Sequence, residues 1–360
     1  MSEDSRTPSG MDAQSPGNSE TWESGNHSPL ITIVIPAYTA EKTIAKAIDG
    51  ALRQQGDFIK EIIVVDDGSS DRTAEIVKSF KEVKYFFQPN AGPAAARNRG
   101  AQEAQGEIIF FTDADCIPAE DWLVKAVVHF ADPHVAVVSG SYAIANPQER
   151  LAKCIHQEII FRHRNLMPVY PKFFGSFNFA VRKKVFAAVG GFDVGYRTAS
   201  GEDNDLSYKI LRSGGKIYFA KDALVAHHHP SDIKKYLREQ FNHGFWRAKM
   251  YRHHPRMSRG DDYTFWKDIL EPPLVLGICF CFGMLMFLGK VWIYCVLVLL
   301  IFILLILEFI FACRIVQGGA LVLFWTAVTF YRAFVRTFGF LAGIVRFFSP
   351  LKPQKLIKKN

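Results

Sequence analysis

Residues 107–116 read EIIFFTDADC, in which an apolar run ends in two aspartates, Asp113 and Asp115, that flank a single alanine. The short run of Ile and Phe predicts a buried β-strand, and the aspartates come where that strand ends. Two carboxylates at this spacing project in similar directions, and their repulsion is costly without a cation between them or between one of them and a diphosphate. The alternative is an Asp pair that caps the following helix.

Short β-branched runs that alternate with helical stretches occupy residues 30–255 and predict an α/β fold with a mostly parallel sheet. The predicted strands are 30–36, 61–67, 83–89, 107–115 and 135–140. In an open sheet of this kind ligands collect at the carboxyl ends of the strands, so the loops there are the expected binding region. Residues 151–200 show no regular pattern, and beyond them we predict a helix over 202–212, a strand over 216–227 and a basic, aromatic helix over 231–254.

The last third of the chain contains apolar runs that are too long for ordinary core helices. Residues 291–313 contain one charged residue, Glu308, and would span about 34 Å as a helix. Residues 272–289 would span about 27 Å, which crosses a bilayer only if the helix stands nearly upright or the bilayer thins. Both segments are predicted to be transmembrane helices.

A third apolar segment, residues 320–348, is predicted to lie on the membrane rather than to cross it. Arg332, Arg336 and Arg346 fall within roughly 80° of one another on a helical wheel, and this polar stripe indicates an amphipathic interfacial helix. Two crossings also return the basic tail 349–360 to the cytoplasm, as the positive-inside tendency requires.

The formal net charge is +8, and the basic residues cluster around the apolar third of the chain. This placement favours membrane lipids over nucleic acid as partners, although a merely solubilising basic tail explains the charge equally well. Residues 1–29 are predicted to be a disordered tail without the features of a secretory signal, and 256–271 a juxtamembrane segment. We therefore expect a multi-pass protein of an inner or plasma membrane with its soluble domain in the cytoplasm. The six Cys show no paired spacing in the soluble part, which supports neither a disulfide framework nor a zinc cluster.

Three further motifs accompany the paired aspartates. The first strand ends as IVIPAYTAEKTI (33–44), the second as EIIVVDDGSSDRT (61–73), and NAGPAAARNRG (90–100) opens the helix before the aspartates. In this order the motifs resemble those of family 2 glycosyltransferases with a GT-A fold. The resemblance implies an enzyme that transfers a sugar from a nucleotide-diphosphate donor to a hydroxyl of a glycan or lipid-linked acceptor. It further implies an inverting displacement assisted by Mn²⁺ or Mg²⁺.

The resemblance also implies roles for single residues on the donor side. Pro36, Ala37 and Tyr38 would line the nucleoside pocket, and Asp66 with Asp67 would hydrogen-bond the base or the ribose. Arg97 would approach the donor's phosphate or sugar, and Asp113 with Asp115 would bind ribose and the cation. The alternative for each Asp is a turn or cap, and for Arg97 a solvated helix charge.

On the acceptor side, the sequence GEDNDL (201–206) places Asp203 as the general base and Glu202 as an acceptor contact, by resemblance. The alternative is a set of acids that stabilise a helix N-terminus. His227, with His229 as second choice, would complete the metal site, unless the histidines only form a turn before Pro230.

Trp246 lies in QFNHGFWRAKMY, which resembles the Q-x-x-R-W element of processive synthases but departs from its spacing, so transfer of one sugar is favoured. Trp246 would stack on an acceptor sugar or sit at the membrane interface. Thr39 is a second departure, since the family commonly has Asn there. Dehydrogenase and P-loop functions are disfavoured, because neither G-x-G-x-x-G nor G-K-[ST] follows a strand. The alternative from another class is a catalytically silent membrane scaffold or sugar-binding module.

Overall fold

A computed structural model describes residues 30–198, 200–255, 262 and 264–349. The predicted disordered tail, 1–29, lies outside the described residues. So do most of the predicted juxtamembrane segment before residue 264 and the basic tail from residue 350 onwards.

The first four strands form the parallel half of one eight-stranded sheet. They are β1 (Leu30–Ala37), β2 (Ile59–Asp66), β3 (Val83–Phe87) and β4 (Ile108–Thr112), in the order β3-β2-β1-β4. The helices α1 (Ile44–Leu52), α2 (Thr73–Lys78) and α3 (Pro93–Glu103) connect them. Side chains such as Ile33, Val64 and Phe110 are fully buried between the sheet and these helices, as expected for strands covered on both faces. The predicted βαβ alternation is confirmed here.

The second half of the sheet is mixed rather than mostly parallel. It contains β5 (Cys116–Pro118), β6 (Val135–Ile144), β7 (Asn178–Arg182) and β8 (Lys216–His227), and the order continues from β4 as β7-β6-β8-β5. Strand β7 runs antiparallel to both β4 and β6, and β5 runs antiparallel to β8. The sheet keeps a parallel pair only between β6 and β8 in this half.

The helices of this half are α4 (Trp122–Val127), α5 (Arg150–Asn165), α6 (Lys183–Ala188), α7 (Glu202–Arg212) and α8 (Ile233–His253). Helices α7 and α8 match the predicted helices. The segment 151–200, which showed no pattern in the sequence, holds α5, β7 and α6. Helix α5 was not recognised because Glu158 and Arg162 occupy buried positions on its inner face and interrupt the apolar periodicity.

Three C-terminal helices, α9 (Trp266–Leu288), α10 (Val291–Ile315) and α11 (Gly319–Phe348), are long and apolar enough to cross a membrane. Helix α9 begins six residues before the predicted start at 272 and includes Pro272 and Pro273 within it. Its 23 residues correspond to about 34 Å, but the added residues 266–271 include Lys267, Asp268 and Glu271, so they lengthen the helix without lengthening its apolar part.

Helix α11 packs closely along α8 through glycines. A Cβ at Gly244 would collide with the carbonyl oxygen of Arg336, and one at Gly339 or Gly343 would collide with the carbonyl of Phe241 or Phe245. Because glycine has no side chain, the two backbones can approach closely at these positions, as in other helix pairs with small residues at the interface.

This packing decides where the predicted polar arginine stripe of α11 points. Arg346 is exposed, but Arg332 is fully buried against α5 and α8, and the Arg336 guanidinium donates to Gln240 through Nε at 2.7 Å. Two of the three arginines thus face the protein. A helical wheel shows that side chains share a face but does not show which neighbour that face meets.

Buried ion pairs link the α/β domain to the C-terminal helices. Glu158 on α5 accepts from Arg162 at 2.9 Å and from Arg332 of α11 at 2.9 Å. Arg162 also donates to both oxygens of Asp268 on α9, at 2.6 and 3.0 Å. We call Glu158, Arg162, Asp268, Arg332 and Arg336 the junction network. Each of the two acids contacts two arginines, and this pairing makes the burial tolerable, although three arginines against two acids leave one excess positive charge.

Candidate active site

A cleft of about 550 Å³ lies between the α/β domain and the C-terminal helices. Glu202, Asp203 and His227 line the part of the cleft that belongs to the sheet domain. Arg332 and Arg336 line the opposite part, next to α9. The cleft therefore reaches from the predicted catalytic residues to the C-terminal helices.

Arg97 connects the two acidic motifs of the site. Its guanidinium is fully buried at the first turns of α3 and donates to Asp113 Oδ1 at 2.7 Å and to Glu202 Oε1 at 3.1 Å. The guanidinium thus bridges two carboxylates, and its approach to the donor's phosphate or sugar stays a prediction. The opposite charges of Asp113 and Glu202 outweigh burial and raise the pKa of Arg97, so it stays a fixed cation.

Asp115 lies beside His227 because of strand register. Cys116, the first residue of β5, pairs with His227 at the end of β8, and this pairing places the preceding Asp115 against the imidazole. Asp115 Oδ1 lies 3.5 Å from His227 Nε2, and the Asp115 carbonyl accepts the His228 N–H at 2.9 Å. Burial alone would raise the pKa of Asp115, but the charge and hydrogen bonding of His227 outweigh it and lower that pKa.

Asp115, Cys116 and His227 offer ligand atoms that all lie within 4.8 Å of one another. Two of the three predicted metal ligands, Asp115 and His227, are therefore together, whereas Asp113 is held by Arg97. A carboxylate and an imidazole at a partly open position suit Mn²⁺ or Mg²⁺, with donor oxygens completing the shell. Burial, reinforced by the Asp115 charge, raises the pKa of Cys116 well above its usual range. Its neutral thiol is a poor ligand for a hard cation.

Glu202 and Asp203 begin α7, after Gly201 in a left-handed conformation with φ of 89°. Glu202 is buried against Arg97, while the Asp203 carboxylate is partly exposed on the cleft and accepts the Asn204 N–H at 2.8 Å. Burial, with repulsion between the two groups, raises the pKa of Glu202, and burial raises the pKa of Asp203. A carboxylate with a raised pKa is a stronger base near neutral pH.

The donor-side residues of the first two strands differ in accessibility. Pro36 and Ala37 are buried and Tyr38 is 59% exposed, so Tyr38 alone of the three presents its side chain to solvent. Thr39 adopts φ of 50°, a left-handed conformation that is costly for a β-branched residue. Its N–H donates to Ser69 Oγ at 2.9 Å, which ties the loop after β1 to the loop after β2.

Asp66 and Asp67 are buried and hydrogen-bonded within the chain. Asp66 accepts from Ser69 N at 2.8 Å and Tyr85 Oη at 2.9 Å. Asp67 accepts from the backbone N–H groups of Ala91 at 2.9 Å and Gly92 at 2.8 Å. In this structure the two acids shape the loops that surround the predicted nucleoside pocket.

The structure places His229 behind His227, and it places Trp246 outside the cleft lining. His229 is buried, and its Nδ1 lies 2.9 Å from His227 Nδ1, so it supports the candidate ligand from behind. The Trp246 ring packs on Tyr196 and Phe347, with centroids 5.4 and 5.7 Å away, and it does not line the cleft among the described residues.

Comparisons with known proteins agree with this arrangement. Residues 32–190 match the family described as glycosyl transferase family 2, and residues 156–234 match a family described as the N-terminal domain of galactosyltransferase. The chain contains a glycosyl transferase family 2 domain over residues 32–190. The transferase match covers β1 to α6, and the second match includes α7, with Glu202 and Asp203, and β8.

Individual relatives match parts of this chain. A glycosyltransferase of Haemophilus influenzae, described as uncharacterized, is 39% identical over 132 residues, which are 35% of this chain and 52% of that protein. The pre-mycofactocin glycosyltransferase of Mycobacterium tuberculosis is 29% identical over 236 residues, or 62% of this chain and 48% of that protein. The chain thus spans about half the length of these curated relatives.

A solved mannosyltransferase from Pyrobaculum calidifontis, in complex with GDP-Man and Mn²⁺, shares the fold across 92% of both chains, with a TM-score of 0.52 and 18% identity. The predicted GT-A fold is confirmed.

Proposed function

We propose that this protein transfers one sugar from a nucleoside-diphosphate sugar to an acceptor hydroxyl at the membrane surface, with inversion at the anomeric carbon. One observation carries the proposal. His227 lines the cleft that contains Asp203 and also contacts Asp115, so a candidate base and a candidate cation site share one cavity.

Asp203 is the proposed general base. It takes the proton of the acceptor hydroxyl while that oxygen forms its bond to the anomeric carbon and the bond to the diphosphate breaks. Attack from the side opposite the leaving group inverts the centre. Arg97 holds Glu202 and thereby fixes the start of α7 beside Asp203.

Asp115 and His227 are the proposed protein ligands of a divalent cation. When bound, such a cation neutralises the negative charge that develops on the departing diphosphate. Asp113 stays on Arg97, where it orders the loop between β4 and β5, and Tyr38 offers its exposed ring to the nucleoside.

For the membrane part, we propose that α9 and α10 span the bilayer and that α11 lies at the interface. Helix α10 has exposed side chains such as Phe302 and Phe309 along its length, as a lipid-facing surface requires. Helix α11 follows α8 from Arg332 to Phe347, so it stays beside the cytoplasmic domain instead of leading away from it. This arrangement brings a lipid-linked or growing glycan acceptor to the cleft from the membrane side.

The purified full chain, incubated with a panel of nucleotide sugars and Mn²⁺ or Mg²⁺, tests the proposal. We expect release of one nucleoside diphosphate, stimulated by a membrane extract and abolished by a chelator. GDP-Man belongs in the panel because of the fold relative. The control variant is Asp57→Asn, an exposed acid just before β2, at the opposite end of that strand from Asp66. If no donor binds or turns over with either cation, the protein is a silent sugar-binding or scaffold module instead.

A further inference from the structure

A second cavity, of about 410 Å³, lies on the other side of α5 from the catalytic cleft. Gln157, Phe161 and Arg164 of α5 line it, together with Arg314 at the end of α10 and Gln317 after it. On α5 the positions 157, 161 and 164 share one face, and Glu158 and Arg162 of the junction network share the opposite face. A single helix therefore separates the two cavities.

The second cavity is basic. Arg164 and Arg314 are both exposed, and neither makes an ion pair or a side-chain hydrogen bond with any residue that the structure describes. The cavity lining includes no acidic residue within the described chain. Arg162, two residues before Arg164, differs because two carboxylates of the protein, Glu158 and Asp268, balance its charge. Both guanidinium groups are therefore available to an anionic ligand that enters the cavity.

The position of Arg314 fixes the depth of the cavity relative to a bilayer. Phe309 and Ile310, each 44% exposed, lie on the outer surface of the apolar helix α10. Arg314 follows them by about one helical turn, roughly 6 Å along the axis. If those residues contact acyl chains, the cavity opens at the level of the lipid headgroups.

We propose that this cavity binds the phosphate of an anionic membrane lipid headgroup, clamped between Arg164 and Arg314. Guanidinium groups form paired, charge-assisted hydrogen bonds with phosphate oxygens, and basic pockets at this depth suit such headgroups. The inference rests on the proposed membrane placement but not on the proposed catalytic residues. The bound lipid holds α10 against α5, and α5 carries Glu158 and Arg162 to the wall of the catalytic cleft.

The test uses the full chain in nanodiscs of phosphatidylcholine alone or with graded phosphatidylglycerol. Native mass spectrometry counts the lipids retained after release from the nanodisc. The double variant R164Q/R314Q is compared with R150Q/R346Q, which removes two exposed arginines outside the cavity and lowers the net charge equally. We expect wild type and R150Q/R346Q to retain phosphatidylglycerol, and R164Q/R314Q to retain it roughly tenfold to thirtyfold less.

Two results would overturn the proposal. One is equal phosphatidylglycerol retention by the two double variants. The other is displacement of the lipid by millimolar inorganic phosphate, which would mark a site for free phosphate rather than for a headgroup. Because lipid retention is measured without turnover, failure here leaves the transferase proposal standing. Conversely, a protein that retains the lipid but transfers no sugar would contradict the transferase proposal and leave the lipid proposal standing.

Discussion

The donor side of the catalytic domain and its junction with the C-terminal helices both bury charged groups, but they stabilise them differently. At the donor side, Asp66 and Asp67 sit at a strand end and accept from nearby turns, including the backbone N–H groups of Ala91 and Gly92. At the junction, Glu158 meets Arg332, a partner 174 residues away in the chain. The first arrangement follows from local motifs, whereas the second exists only when the whole chain is folded.

The difference matters for function because the catalytic cleft is bounded by both regions. The sheet side provides chemical groups at fixed strand ends. The junction side provides a wall whose position depends on how α5, α8, α9 and α11 dock. Substitutions on the sheet side should therefore change chemistry, and those at the junction should change stability and access first.

The largest effect is expected from Asp203→Asn, which removes the proposed base but keeps the size of the side chain. Sugar transfer should fall by about 10²–10⁴-fold, the usual contribution of general base catalysis. Donor binding, measured by calorimetry with the cation present, should stay within about twofold. A variant that transfers sugar at the wild-type rate would show that another group accepts the proton.

Arg332→Met tests the junction. It leaves Glu158 with one of its two arginine partners and should lower stability by about 3–5 kcal/mol, the range for breaking a buried ion pair on one side. Thermal unfolding in detergent measures the change. Arg346→Gln, an exposed arginine on the same helix, is the matched control and should be near neutral. Equal melting temperatures for the two variants would contradict a stabilising role for the network.

Gly339→Leu should force α11 away from α8, because a side chain at this position meets the Phe241 carbonyl. We expect a loss of about 1–3 kcal/mol, typical of overpacking, together with a raised KM for the acceptor. Gly283→Leu on α9 makes the same substitution where no atom lies within 4 Å of an added Cβ, and it should be tolerated. Similar behaviour of both leucine variants would mean that the α8–α11 contact is not needed.

The pH dependence of transfer tests the buried pair Glu202 and Asp203. The base works when ionised, so the rate should fall as the pH drops through the raised pKa of Asp203, above the usual carboxylate range near 4. Glu202→Gln removes a neighbouring negative charge, so it should lower the pKa of Asp203 and move this acid limb to lower pH. If the acid limb of the pH–rate profile is the same in Glu202→Gln and in the wild type, the two groups do not interact.

The smallest effect concerns the loop after β1. Thr39→Asn should stabilise the protein by about 1 kcal/mol, because Asn tolerates the left-handed conformation better than a β-branched residue does. Transfer activity should be unchanged. A destabilised variant would indicate that contacts of the Thr39 side chain outweigh its backbone strain.

Much of the sheet domain was predictable because each of its strands corresponds to one continuous sequence pattern. The strands around Ile33, Val64 and Phe110 are short apolar runs, each followed by its polar loop, and parallel pairing brings those loops to one edge. The glycosyltransferase motifs lie on these loops, so the family followed from the sequence. The lengths of the apolar C-terminal helices were predictable for the same reason, although α9 begins earlier than its apolar run.

Tertiary structure decided which charges meet. The sequence contains Asp115 and His227, but only the antiparallel register of β5 against β8 places them 3.5 Å apart. It contains Arg97 and Glu202, 105 residues apart, without any sign that one donates to the other. Local periodicity reports which face of an element is buried, whereas the partner across an interface depends on docking of elements that are distant in the chain. For that reason the motifs identified the enzyme family, and only the folded chain showed the cleft shared with the C-terminal helices and the basic cavity behind it.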